Sequence, residues 1–220
     1  FLANTYLTRS ALDEMSVTTG DIEPTERDNS PNPRADYSGD PRRVALLGTG
    51  KPLRDGFPKR QTEFNHFLAE NGRGHMKGCL SEISDGKTEL LTFAKAEIIG
   101  EVIHSKEYLR TKTRCSTHVE LAERSSSGHP MFAEVLRFHM LRRKGEEYRF
   151  CEVMTYETCT TDEDKYLQRQ CIKTSSASGP RFLDIEKIKQ KVMFLTPPEE
   201  LEVCPRGTTL VLRHWPKGKI

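Results

Sequence analysis

Long apolar runs, close cysteine pairs and glycosylation sites are all missing from this sequence. No run approaches the roughly eighteen consecutive apolar residues that a membrane-spanning helix needs. No Cys-x-x-Cys pair is present, although structural zinc sites use such pairs to fix their tetrahedral geometry. The six cysteines are widely spaced and no Asn-x-Ser/Thr site accompanies them, which favours reduced thiols over a secreted disulfide framework. We therefore expect an intracellular protein without membrane contact, metal or cofactor.

Complete catalytic motifs are missing as well. The segment Leu47–Lys51 has the end of a phosphate-binding loop, but Ala45 stands where that motif needs its first glycine. The triplet His118-Val-Glu120 matches the His-x-Glu of zinc deaminases, but the Pro-Cys-x-x-Cys that those enzymes also need is absent. We therefore interpret His118 as a residue on the solvated face of a strand.

The first quarter of the chain has few large aliphatic residues. Six of the twelve prolines precede residue 60, and only Val17 and Ile22 interrupt the polar sequence between Ser16 and Tyr37. Such a composition buries too little apolar surface to offset the entropy lost on folding. We predict that residues 1–60 are mostly disordered or linker. Because the chain begins with Phe1 instead of Met, we also expect a fragment of a longer reading frame.

The pattern of apolar residues changes after residue 60. Phe64, Phe67 and Leu68 follow the i, i+3, i+4 spacing of a helix, which predicts a short helix over residues 61–74. Beyond it, runs rich in Ile and Val predict strands at Leu90–Phe93 and Glu97–His104. Strict alternation over 115–121 predicts a further strand with one apolar face.

The strongest local signal is a pair of β-prone runs, Met131–Leu141 and Tyr148–Tyr156. They flank a basic turn, Arg142–Gly145, in which Gly145 supplies the positive φ that a tight hairpin needs. Two later strands are expected at Val192–Leu195, after a possible helical turn, and at Thr208–Arg213. The predicted fold is mainly β: a small antiparallel barrel of about six strands with one or two short helices and a disordered N-terminal arm. The barrel-like domain spans residues 75–215, and a basic tail follows at 216–220.

Basic residues cluster at the hairpin turn and near the C-terminus. The formal net charge is +2, so the charge of the whole chain is modest for a nucleic-acid-binding domain. Local clusters can still bind phosphates, and they predict contacts with nucleic acid or a partner. The candidates are Arg142, Arg143, Lys144, Arg149, Arg213, Trp215, Lys217 and Lys219.

The order of segments resembles a known family. Tyr108, Arg110, Ser116 and Val119 follow a Tyr-x-Arg…Ser-x-x-Val strand pair, and Phe132–Phe138 follows a Phe-Gly-x-Ile-x-x-Phe strand with Ala in place of Gly. Both patterns are similar to the C-terminal β-rich module that follows the nuclease core in CACTA-like cut-and-paste transposable elements. This resemblance implies a non-catalytic nuclear fragment that contacts DNA, chromatin or another domain of its reading frame.

A looser resemblance and two alternatives complete the expectations. The hairpin also resembles bromo-adjacent homology (BAH) domains, which implies a histone-peptide reader with an aromatic pocket; the available rings are Tyr148, Tyr156 and Trp215. One alternative is a fragmentary element product without selected activity. The other is a metal-dependent nuclease, or another enzyme, whose catalytic residues are dispersed along the chain. Its candidate acids are Glu134, Glu152 and Asp184.

Overall fold

The computed structural model describes residues 44–54, 56–108, 116–159, 170–173, 175, 177–195 and 208–213. Of these residues 54% lie in strands, which confirms the mainly-β class. The predicted disordered arm up to residue 43 and the basic tail at 216–220 lie outside the described residues.

The described part contains twelve strands and one α-helix, α1 (Gln61–Glu70). The strands are β1 (Val44–Leu47), β2 (Lys51–Pro52), β3 (Thr88–Phe93), β4 (Lys95–Ile98), β5 (Glu101–His104), β6 (His118–Arg124), β7 (Pro130–Arg143), β8 (Glu146–Thr158), β9 (Cys171–Lys173), β10 (Arg181–Asp184), β11 (Ile188–Leu195) and β12 (Thr208–Arg213).

Six strands close into an antiparallel barrel in the order β6-β7-β8-β9-β12-β11, because β11 pairs back with β6. This confirms the predicted barrel of about six strands. The long strands β7 and β8 pair with each other along one edge, and each pairs with two further strands along the opposite edge. β7 pairs with β6 and then with β3, and β8 pairs with β10 and then with β9. Strands β1, β4 and β5 form a separate three-stranded sheet.

The β7–β8 hairpin turns through Lys144 and Gly145, whose φ angles are 50° and 83°. Two consecutive positive φ angles are typical of the type I′ turn, which matches the twist of the strands it joins. The prediction of a tight hairpin from Gly145 is therefore confirmed. Arg142 and Arg143 belong to the ladder, since their Cα partners are Glu147 and Glu146. The turn itself is two residues shorter than predicted.

Helix α1 packs its apolar stripe on the sheet. Phe64 and Phe67 are buried against Phe150 of β8 and Phe182 of β10, with ring centroids 5.1–5.8 Å apart. The helix predicted from this spacing is confirmed, although it ends at Glu70 instead of residue 74, and it shares one apolar cluster with the sheet. At ten residues it is the longest helix in the described ranges, where no helix combines the length and the apolar run that a membrane crossing requires.

The folded part takes in residues that the sequence places in a linker. Val44–Leu47 pairs with Lys95–Ile98, and Phe57 is buried against Phe64 and Phe182. Residues 1–60 are therefore not linker throughout. The four-residue strand β1 gains its stability from partners fifty residues away, which local composition does not reveal.

Three local predictions differ from the structure. Glu97–His104 is two strands instead of one, because Ile99 and Gly100 form a turn with φ angles of 53° and 77°. Strand β11 begins at Ile188, four residues earlier than predicted, directly after a single 3-10 turn at Ile185–Lys187. The ring of His118 is not on a solvated face: it stacks on Phe194 with centroids 3.9 Å apart, and burial lowers its pKa.

Candidate functional site

A basic groove lies beside the tip of the β7–β8 hairpin. Its volume is about 450 Å³, and three chain segments form it: the loop after β2, the turn before β3 and the hairpin tip. The lining residues are Pro52, Leu53, Arg54, Ile83, Gly86, Lys87, Thr88, Glu89, Leu90, Arg142, Lys144 and Gly145.

Four cationic side chains line this basic groove, and Glu89 is the one acid among the described lining residues. Arg54 and Lys144 are exposed and form no ion pair within the described residues. Lys87 Nζ lies 4.0 Å from Asp85, a loose surface contact. The groove therefore has an excess of positive charge in a concave setting, which suits an anionic ligand.

Arg142 is the most constrained of the four cations. Its guanidinium donates to Glu89 on β3 at 2.9 Å and to Glu147 on β8 at 2.7 Å. Both acids are cross-strand neighbours of Arg142 in the ladder, so the register of the sheet creates this network. An incoming anion must compete with two carboxylates for Arg142, whereas Arg54 and Lys144 need no such exchange.

The floor of the groove is apolar and held in place by backbone contacts. Leu53 N donates to Leu90 O at 2.8 Å, which fixes the loop that carries Arg54 onto β3. Leu53 and Ile83 also pack against the cluster that includes Leu90 and Leu141. The backbone segments that carry the cationic side chains are therefore held in place by hydrogen bonds and apolar packing.

Arg143 and Arg149 are predicted contact residues that the structure places in internal contacts. Arg143 forms a two-pronged pair with Glu82, with N–O distances of 2.6 and 2.9 Å, and donates to His75 O at 2.8 Å. Arg149 donates to Val44 O at 2.7 Å and so ties β8 to β1. Of the remaining predicted contacts, Arg213 ends β12, whereas Trp215, Lys217 and Lys219 lie outside the described residues.

The two described rings proposed for an aromatic pocket, Tyr148 and Tyr156, lie in different apolar clusters. Tyr148 is buried beside α1, and its hydroxyl donates to Asp184 at 3.0 Å. Tyr156 packs edge-on against Phe194 in another cluster. Trp215 lies outside the described residues. Recognition of a histone peptide stays a prediction, because the described residues contain no pocket formed by these rings.

The three candidate catalytic acids have three separate sets of partners. Glu134 binds Lys106 at 3.0 Å, and Asp184 caps the 3-10 turn by accepting from Glu186 N. Glu152 lies between His139 (2.9 Å) and Arg60 (2.7 Å). Within the described ranges, no three His, Cys, Asp or Glu side chains group so as to hold a metal ion.

Glu152 is the centre of a hydrogen-bonded chain, Arg60–Glu152–His139, of which Arg60 is partly exposed. His139 is fully buried between the rings of Phe57 and Phe150, and burial lowers its pKa. Burial by itself raises the pKa of Glu152, but the hydrogen bond from His139 and the charge of Arg60 bring it below its ordinary value. This chain of hydrogen bonds joins the start of α1 to β7 and β8, so it stabilises the packing of the helix on the sheet.

The sequence alone indicates two of the four cations that line the basic groove. Arg142 and Lys144 stand out as part of a local cluster, whereas Arg54 and Lys87 are isolated cations more than thirty residues apart. Only the pairing of β2 with β3 and of β3 with β7 brings them to the hairpin tip.

No protein-family model matches this chain, and neither a curated protein nor a solved structure is significantly similar to it. Functional inference therefore depends on the charges and contacts of the described residues.

Proposed function

We propose that this chain is a non-catalytic DNA-binding module that holds the phosphate backbone in the basic groove. The observation that carries the proposal is the convergence of Arg54, Lys87, Arg142 and Lys144, from three segments, on one concave surface. Lysine and arginine side chains that neutralise phosphates release condensed counterions, and this release drives sequence-independent binding. The apolar floor beside the cations offers a surface for sugar and base atoms.

The charges set the expected strength of the contact. Arg54 and Lys144 can each neutralise a phosphate directly, Lys87 after leaving Asp85, and Arg142 only by giving up a carboxylate. Two to three phosphate contacts correspond to a slope of log affinity against log salt of about −2 to −3. The groove therefore suits a weak, non-specific DNA contact that works together with a stronger site elsewhere in the reading frame.

The resemblance to CACTA-like elements supports the same proposal. In those elements the β-rich module follows a nuclease core, and a module in that position would hold DNA while the core acts on it. We extend the proposal to a nuclear, element-derived protein. Expression of the tagged chain in cells tests the location, and exclusion of the tagged chain from the nucleus would count against it.

Salt titrations of DNA binding test the proposal directly. A short labelled duplex is titrated with the wild-type chain and with a Lys87→Gln/Lys144→Gln variant, and affinity is measured by fluorescence anisotropy at several salt concentrations. Each phosphate contact that these substitutions remove should reduce the slope of log affinity against log salt by about one. The matched control is Lys59→Gln/Lys77→Gln, since both lysines are exposed and neither lines the basic groove.

The outcomes separate the proposal from its alternatives. Equal affinity and equal slope for all three proteins would reject the groove as the DNA contact. Binding to an acidic polypeptide but not to DNA would replace DNA with a protein partner. Cleavage of the duplex in the presence of Mg²⁺ or Mn²⁺ would instead support the nuclease alternative with Glu134, Glu152 and Asp184.

A further inference from the structure

The basic groove presents apolar atoms beside its cations. Pro52 is exposed, and Leu53 and Ile83 are half-buried, so each of the three leaves part of its side chain accessible. All three line the same groove as Arg54 and Lys144. The groove therefore combines positive charge with an accessible hydrophobic surface, and a phosphate group would use only the charge.

The groove has the size of a small-molecule site. Its volume of about 450 Å³ lies within the range of roughly 300–1,000 Å³ that is typical of such sites. A duplex would touch the rim of this space with its phosphates and sugars, because its bases are stacked and paired in its interior. An unpaired nucleotide can place its phosphate on the cations and the face of its base on the apolar surface.

The acidic lining residue Glu89 does not oppose such a ligand. Its carboxylate accepts from Arg142 at 2.9 Å, so its charge is largely neutralised within the protein. Arg142 also donates to Glu147 at 2.7 Å and stays with the two acids. Arg54 and Lys144, which form no ion pair within the described residues, are then the cations that meet a phosphate first.

We propose that the basic groove binds single-stranded DNA and holds one unpaired nucleotide. The phosphate lies on Arg54 and Lys144, and the base packs on Leu53 and Ile83. This inference rests on the proposed function and names the substrate class of the same site. The described lining residues include no aromatic ring, so the base packs on aliphatic side chains. Such packing tolerates any sequence, because every base has a flat face.

Burial of the base gives the single strand an advantage that does not depend on salt. A contact that buries roughly 40–60 Å² of apolar surface raises the affinity about five- to tenfold. Counterion release acts in the opposite direction, since the salt slope per phosphate contact is about −0.7 for single strands and about −0.9 for B-DNA. Extrapolation of log affinity to unit molar salt separates the two effects, because the logarithm of the salt concentration is zero there.

Fluorescence anisotropy with one labelled oligonucleotide tests the inference. The strand is used alone and annealed to its complement, and both forms are titrated at several salt concentrations. For the wild-type chain, we expect the extrapolated affinity for the single strand to exceed that for the duplex by about five- to tenfold.

Two matched variants test the place of the base. Ile83→Ala should lower the extrapolated affinity for the single strand by about threefold or more and leave the salt slope unchanged. The control is Leu80→Ala, because Leu80 is also half-buried and packs against the same apolar cluster but does not line the groove. Leu80→Ala should bind the single strand as the wild-type chain does.

The outcomes distinguish this inference from the proposed function. Equal extrapolated affinities for the single strand and the duplex, or equal effects of Ile83→Ala and Leu80→Ala, would overturn the inference alone if Lys87→Gln/Lys144→Gln still reduces the salt slope. Failure of the wild-type chain to bind either form, or an unchanged slope in the lysine variant, would reject the proposed function and the inference together. The comparison of the two DNA forms uses the wild-type chain, so poor folding of a variant does not affect that decision.

Discussion

Replacing Glu152 by Gln removes the charge at the centre of the Arg60–Glu152–His139 chain without changing the shape of the side chain. The carboxylate accepts from Arg60 at 2.7 Å and from His139 at 2.9 Å, and its side chain is 10% exposed. Each hydrogen bond to a charged group contributes roughly 1.5–3 kcal/mol. The amide oxygen can replace one of the two bonds. We expect a loss of about 2–4 kcal/mol in the free energy of unfolding.

Glu63 provides a control on the same guanidinium. It also accepts two hydrogen bonds from Arg60, at 2.6 and 2.8 Å, but its side chain is 45% exposed. Exposed ion pairs contribute roughly 0–1 kcal/mol because water and salt screen them. Glu63→Gln should therefore lower the free energy of unfolding by no more than about 1 kcal/mol.

Urea unfolding of both variants, followed by circular dichroism, gives the two free energies. A shift of the midpoint without a change in slope shows that stability alone has changed. Equal losses for Glu152→Gln and Glu63→Gln would refute the reasoning, since each carboxylate accepts two hydrogen bonds and the reasoning attributes the larger loss to the burial of Glu152. A Glu152→Gln loss below about 1 kcal/mol would refute it as well.

Two further predictions concern the same fold. His139 is buried, and its pKa lies below the ordinary 6.5. As the pH falls, the unfolded chain therefore binds a proton at this residue at a higher pH than the folded chain does. The stabilisation is complete above about pH 6.5 and is lost below it. His139→Gln should reduce the pH dependence of urea unfolding between about pH 7.5 and pH 5 by at most ~1.4 kcal/mol per pH unit, and an unchanged slope would contradict the burial argument. Gly145→Ala should cost about 1–2 kcal/mol in the same assay because φ is 83° there. Gly179→Ala, in open space without a positive φ, should be neutral, and equal costs would contradict the turn assignment.

The helix and the β7–β8 hairpin could be predicted from the spacing of apolar residues within single segments of the sequence. The helix follows from the spacing of Phe64, Phe67 and Leu68, and the long hairpin from two β-prone runs around Gly145. Strands β9 and β10 have only three and four residues, too few to show a period. Their existence depends on the edge of β8, which they pair with at different points along its length.

The candidate site shows the same division. A cluster of basic residues at the hairpin is visible in the sequence, but its availability is not. Arg143 is neutralised by Glu82, sixty-one positions earlier, and Arg142 by Glu89, fifty-three positions earlier. Charge along the chain therefore predicts where cations occur, and only the tertiary structure decides which of them remain unpaired: Glu89 meets Arg142 through the β3–β7 register, whereas Glu82 meets Arg143 from a 3-10 turn before β3.

The two central strands, β7 and β8, contribute side chains to all three apolar clusters. Phe138 and Cys151 lie in one, Leu141 and Phe150 in the second, and Phe132 in the third, with Tyr156 packed beside it. A cut in the backbone at Lys144–Gly145 would leave these strands held together only by their ladder and would weaken every cluster at once. A cut at Ser126–Ser127, in the turn between β6 and β7, would leave the covalent link between β7 and β8 intact. The first cut should therefore lower the melting temperature more than the second.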